Sequence, residues 1–251
     1  MEKYFAINQD GQSIRCKLYY EKNHPMERII VSVHGFAGHK DNAAGKRFAE
    51  RVLTKYKGVG VLSFDLPCHG EDVKKKLVLK DCLSYLHTVA AYCKDQLQAE
   101  KLYAYATSFG GFLVLRYLLD FGNPFERIAL RCPAVNMAES LTRRVMKQEE
   151  LEKLLKGKNV CVGFDRKVEI TRSFLTELQE ADIGHGDFLD YAENILILHG
   201  TKDEVVPFEE SQHFADDQLM EFVPVENADH RFQNPACMEL ATKAVLSFFS
   251  L

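Results

Sequence analysis

The sequence predicts an α/β fold: a mostly parallel central sheet with helices on both faces. Three observations carry this. Short runs such as Arg28–Val33 and Asn194–Leu198 are apolar nearly throughout, as strands buried on both faces are. Stretches with apolar residues at helical spacing alternate with them, and such alternation implies parallel strands joined by crossover helices. The 251 residues suffice to bury a sizeable core in one domain with a small insertion.

In chain order, Lys3–Asn8 and Ser13–Tyr20 read as strands, with Asp10-Gly11 as the hairpin turn between them. Arg28–Val33 is a buried strand. Asn42–Lys55 carries Phe48, Val52 and Leu53 at helical spacing. Gly60–Phe64 is the next strand, and Leu79–Leu97 shows the apolar stripe of a long amphipathic helix. A strand over Leu102–Ala106, a helix after Ser108 and a strand over Arg127–Leu130 follow. From about residue 134 to 190 the rhythm changes. Two charged amphipathic stretches, Ala138–Lys156 and Thr171–Glu180, flank a small hairpin expected over Val160–Asp165, and Gly157 is placed as a helix stop. The alternation then resumes with strands over Asn194–Leu198 and Leu219–Val225 and helices over Phe208–Asp216 and Pro235–Phe249. The expected division is a core of residues 1–133 and 191–251 with a cap insertion of 134–190.

Composition narrows the function classes. Hydrophobic residues make up 46% and charged residues 27%, the balance of an ordinary globular protein. With 32 basic and 36 acidic residues, net charge −4, no basic excess points to nucleic acid. No apolar run would span a bilayer, and the first residues lack a signal-peptide core, so a cytoplasmic location is expected. The seven cysteines are odd in number, irregularly spaced and without CxxC, which argues for free thiols and against a disulfide framework or zinc site. Of these, Cys68 is the one expected in a loop near chemistry.

The most informative segment is Ala106-Thr107-Ser108-Phe109-Gly110-Gly111. An apolar strand runs into a serine flanked by small residues, and a helical pattern follows at once. That is the G-x-S-x-G nucleophile elbow with Ala106 at the first glycine position. So sharp a turn lifts the hydroxyl clear of the sheet and leaves it at a helix N-terminus, where the Phe109 N–H stabilises negative charge. A serine needs a base, usually a histidine oriented by a carboxylate. His230 lies in the polar loop before the last helix, and Asp203 lies just past the strand ending at Leu198. The order Ser108, Asp203, His230 has all three in loops at the carboxyl edge of the sheet, where ligands bind such folds. His34, His69 and His199 compete as the base, and Glu204 and Asp229 as the acid. The second oxyanion donor is the N–H of Phe36 in His34-Gly35-Phe36-Ala37-Gly38.

Four segments resemble the α/β-hydrolase superfamily over nearly the whole chain. They are His34–Gly38, Asp65-Leu66-Pro67-Cys68-His69-Gly70 (the D-x-P-G-H-G loop with Cys68 for glycine), Ala106–Gly111, and His199-Gly200-Thr201-Lys202-Asp203-Glu204-Val205-Val206-Pro207. Within it the chain is similar to small capped bacterial carboxylesterases, including feruloyl and cinnamoyl esterases and monoacylglycerol lipases. The resemblance implies an α/β-hydrolase fold and two-step acyl transfer on a small-molecule ester. Ser108 would be the nucleophile, His230 the base, Asp203 the orienting acid, and the Phe36 and Phe109 amides the oxyanion hole, with no metal or organic cofactor. Thioester hydrolysis, peptide hydrolysis and ligand reception on a hydrolase fold stay open. Lys74–Lys76 or Arg143-Arg144 could face a coenzyme A substrate or be solvated charge. Phe164, Phe174, Leu178 and Phe188 could line the pocket or anchor the cap.

Overall fold

The structure, a computed structural model, describes residues 1–163 and 166–251. Asp10 and Gly11 both take positive φ, 51° and 74°, the geometry of a tight two-residue hairpin loop. They join β1 (Glu2–Gln9) to β2 (Gln12–Tyr19). The remaining strands of the main sheet are β3 (Arg28–Val33), β4 (Val59–Phe64), β5 (Lys101–Thr107), β6 (Arg127–Arg131), β9 (Ile195–Gly200) and β10 (Glu221–Val225). The spatial order is β1-β2-β4-β3-β5-β6-β9-β10. β1, β2 and β4 pair antiparallel, and all pairs from β4 to β10 are parallel.

Period-2 alternation divides the strand side chains between two faces. Ile29, Val31 and Val33 join one core, with α2 (Leu79–Asp95), α3 (Phe109–Phe121) and α7 (Phe208–Asp217) over it. Ile30, Val61 and Tyr105 join the other, beneath α1 (Ala43–Lys55) and α8 (Pro235–Phe249). The chain leaves β3 in one direction toward β4, then returns to place β5 on β3's other side. Loops after β3 and β5 therefore diverge, and the crevice between them is where ligands bind open α/β sheets.

Between β6 and β9 lie α4 (Met137–Ser140), α5 (Gln148–Leu155), the antiparallel pair β7 (Val160–Val162) and β8 (Val168–Ile170), and α6 (Arg172–Glu180). The stretch expected to be helical over Ala138–Lys156 is broken: a π-helical turn over Leu141–Val145 follows α4, and Met146 and Lys147 are extended before α5 starts. The hairpin expected over Val160–Asp165 closes through a longer connection, so its second strand begins at Val168. Phe164 and Asp165 lie outside the described residues. Phe174 and Phe188 are fully buried and Leu178 nearly so. Phe174 packs edge-on to Phe109 and Phe188 to Phe214, so these residues anchor the segment to the core. Among the described residues no helix is long and apolar enough to cross a membrane.

Candidate active site

Ser108 is where β5 becomes α3. Its backbone, at φ 52° and ψ −119°, is strained for a residue with a Cβ, a cost of about 1–3 kcal/mol met by surrounding bonds. Its N–H donates to the Arg131 carbonyl at 3.0 Å, and its carbonyl accepts from Phe112 and Ala134. The turn also needs Gly110, because a Cβ there would lie 2.6 Å from the Val33 carbonyl oxygen. That contact shows how closely the elbow is pressed against the end of β3.

The structure brings Ser108, His230 and Asp203 into one hydrogen-bonded line. His230 Nε2 is 3.0 Å from Ser108 Oγ, and His230 Nδ1 is 2.7 Å from Asp203 Oδ2. A carboxylate only accepts, so Nδ1 carries the proton and Nε2 is free to accept from the serine. Asp203 Oδ1 accepts from the Val205 and Val206 N–H groups, both at 2.8 Å, and its side chain is fully buried. Burial alone would raise its pKa. The hydrogen bonds from His199 and His230, and the Val206 N–H, outweigh burial and hold the carboxyl far below its usual range. The Asp203 and His230 loops are tied directly, Lys202 N–H donating to Ala228 O at 3.0 Å, and Arg131 Nη1 ties the end of β6 to the His230 loop by donating to Arg231 O at 3.1 Å.

The competing residues have other partners. Glu204 is exposed, and Asp229 accepts from the Gln233 N–H. His34 donates from Nδ1 to Gly35 O at 2.8 Å and accepts at Nε2 from the Leu66 N–H at 3.1 Å. Burial and neighbouring His69 push its pKa down to about 3, so the ring stays neutral and pins the Gly35–Phe36 turn. His69 donates to Pro67 O. His199 reaches the acid itself: its Nε2 is 3.1 Å from both Asp203 Oδ2 and the Val206 carbonyl, so that nitrogen is a donor. Sequence reading gave His199 no such role, since strand-end histidines before glycine serve many turns.

Phe36 and Phe109 are both close to the serine: a Cβ on Gly35, which precedes Phe36, would lie 3.1 Å from Ser108 Cβ, and Phe109 follows Ser108 as the first residue of α3. Among the described residues neither backbone amide donates to another protein group, and their rings meet edge-on at 6.2 Å. Asp65 supports the loop behind Phe36, accepting from the Lys40 N–H at 2.7 Å and from Glu71 N–H and Lys40 Nζ. Gly70, at φ 56°, is required because any Cβ there would run into that carboxylate. Cys68 takes φ 64°, a conformation that favours glycine, and its N–H is held by Asp72. The Cys132 sulfur lies within 4.8 Å of ligand atoms of Asp203 and His230. Burial, with the charge of Asp203, keeps that thiol protonated, and the acid's oxygens are already taken by four donors, so these three groups do not fit a resident metal.

A cavity of about 500 Å³ opens over Ser108. Val33, Phe36, Ala134, Met137, Val145 and Val206 give it an apolar side. Of the two roles open to Phe174, Leu178 and Phe188, lining the pocket or anchoring the segment, their burial against the core favours the second, and they are not among the residues lining this cavity. Lys74 is paired with Asp81 and Arg143 with Glu139, and neither lines the cavity.

The family Hydrolase_4, described as serine aminopeptidase, S33, matches residues 24–183. The chain belongs to this family. It is an α/β-hydrolase, and its solved structural neighbours share the fold across almost their whole length. Est1E from Butyrivibrio proteoclasticus, with ferulic acid bound, superimposes with a TM-score of 0.77 at 23% identity, covering 98% of this chain and 97% of that one. A monoacylglycerol lipase from Paleococcus ferrophilus gives 0.66 at 18% identity over 94% and 97%. Alpha/beta hydrolase domain-containing protein 10 from mouse gives 0.72 at 15% identity over 99% and 98%. No curated protein matches the sequence.

Proposed function

We propose that this α/β-hydrolase is a carboxylic-ester hydrolase working through an acyl-enzyme on Ser108. The observation that carries the reading is the unbroken relay from Ser108 Oγ through His230 to a fully ionised Asp203, on a strained elbow open to a cavity. Ser108 Oγ attacks the ester carbonyl as His230 Nε2 takes its proton, and Asp203 stabilises the resulting imidazolium. The Phe36 and Phe109 N–H groups receive the oxyanion. His230 then protonates the leaving alcohol, and water, deprotonated by the same nitrogen, releases the acid. The apolar side of the cavity takes the uncharged part of the substrate, and residues 134–190 act as a cap that supplies Ala134, Met137 and Val145 to it.

One observation separates this from the aminopeptidase activity in the family's description. A free amino terminus needs a carboxylate to meet it, and the described residues lining the cavity include neither Asp nor Glu. The test is turnover of p-nitrophenyl esters from acetate to palmitate beside an aminoacyl p-nitroanilide. Serine-dependent ester turnover without amide turnover is expected. Release of p-nitroaniline at comparable kcat/KM would overturn the ester reading.

A further inference from the structure

We propose that the substrate carries an anionic group, bound by arginines that line the same cavity. The proposal deepens the ester reading and rests on it for the reaction alone. Besides its apolar side, the cavity is lined by Arg47, Arg131, Arg166 and Arg231, with no acidic residue among the described lining residues. In a chain with more acidic than basic residues, four arginines lining one cavity are a concentration of positive charge that calls for a cause.

Arg131 is decisive. It ends β6 opposite Thr107 in register, and its carbonyl holds the Ser108 N–H, so it stands one strand from the nucleophile. The residue is only 8% exposed. Its guanidinium lies against the Phe232 ring, with Cζ 5.1 Å from the centroid, and donates one hydrogen bond, from Nη1 to Arg231 O. Nε is buried with no hydrogen-bond partner, and no carboxylate lies within ion-pair distance among the described residues. A buried guanidinium without a counter-charge is expensive unless an anion completes it. Its planar fork suits the paired oxygens of a carboxylate or phosphate. Arg47, exposed on α1 and likewise without an ion pair among the described residues, also lines the cavity. With strands about 4.8 Å apart, the anion lies a few bonds from the scissile carbonyl. The substrate class is therefore a short ester or thioester bearing a carboxylate or a phosphate, its neutral part on the apolar side.

The experiment compares matched pairs: mono-p-nitrophenyl glutarate against p-nitrophenyl valerate, and the p-nitrophenyl ester of 4-phosphonobutyrate, its phosphonate standing in for a phosphate, against the same valerate. Wild type is expected to favour one anionic member by about tenfold or more in kcat/KM, the worth of a charge-assisted bond. Whichever pair shows it separates carboxylate from phosphate. Arg131→Gln and, should that variant fold poorly, Arg47→Gln should collapse this anionic-to-neutral ratio. No preference in wild type, or a ratio that survives both substitutions, overturns the proposal while neutral-ester turnover leaves the esterase reading standing. In parallel, Ser108 is labelled with a fluorophosphonate in the presence of glutarate or inorganic phosphate. Arg47-dependent protection without turnover of any ester would keep the anion site and sink the ester reading instead.

Discussion

The carboxyl edge of the sheet and the segment of residues 134–190 are built on opposite terms. At the sheet edge each group of the proposed relay is held several times over. Ser108 is fixed by three backbone bonds, Asp203 by four donors, and the turn before Phe36 by a neutral histidine. In the inserted segment, short helices, a π-helical turn and a two-stranded pair rest on buried aromatic anchors, and few side chains reach the cavity. The difference teaches that reactivity demands redundant positioning, whereas selectivity needs only a wall of suitable shape and polarity.

That contrast can be broken or sharpened by substitution. Ser108→Ala should lower ester kcat/KM by about a million-fold if the relay acts as a unit, with circular dichroism and melting unchanged. Residual turnover above about one per cent would sink the relay. Asp203→Asn should cost about ten-thousand-fold in kcat, against almost nothing for Glu204→Gln. The same variant should show a stability gap from wild type that depends on pH. Asp203's folded pKa lies below its ordinary 3.8, so its contribution is full above that value and lost as pH falls below it toward the folded pKa. Urea denaturation from pH 7 to pH 3 should therefore show a constant gap down to about pH 4 that begins to narrow below it.

Backbone tests compare the two regions directly. Gly110→Ala forces a Cβ against the Val33 carbonyl and should destabilise by about 2–4 kcal/mol, with loss of activity. Gly157→Ala, at φ 80° in open space beyond α5, should cost only about 1 kcal/mol and leave turnover intact. A larger loss at Gly157 than at Gly110 would invert the comparison. At the wall, Val145→Phe should shift the acyl optimum of the p-nitrophenyl series to shorter chains by about tenfold in relative kcat/KM, while acetate changes little. The smallest effect is expected at Cys68→Gly, where relief of the left-handed strain and the greater freedom of the unfolded glycine nearly cancel, within about 0.5 kcal/mol by urea denaturation.

Much of the fold was legible because its signals are local. Buried β-branched runs marked the strands, and Pro235–Phe249 was readable to the residue because Asn234 caps a helix with proline at its first turn. The inserted segment was less legible. Its apolar spacing over Ala138–Lys156 is helical, but tertiary packing breaks it at Leu141–Val145 and again at Met146. For the site, the loops of Ser108, Asp203 and His230 could be named from chain order. The contacts of Arg131, His199 and Cys132 could not, since no short-range pattern tells which strand end meets which loop.

By itself the sequence determined the strand–helix alternation, the elbow at Ser108 and the separation of acid and histidine into later loops. Each depends on neighbours within a few residues: strand propensity, small residues at a tight turn, helix caps. Only the tertiary structure decided that His199 shares the acid with His230, that Phe174 and Phe188 are anchors and not a wall of the cavity, and that four arginines line one cavity. Those outcomes depend on strand order. Setting β5 between β3 and β6 brings residues from separate stretches of chain to one edge, and no residue's neighbours in sequence encode that adjacency.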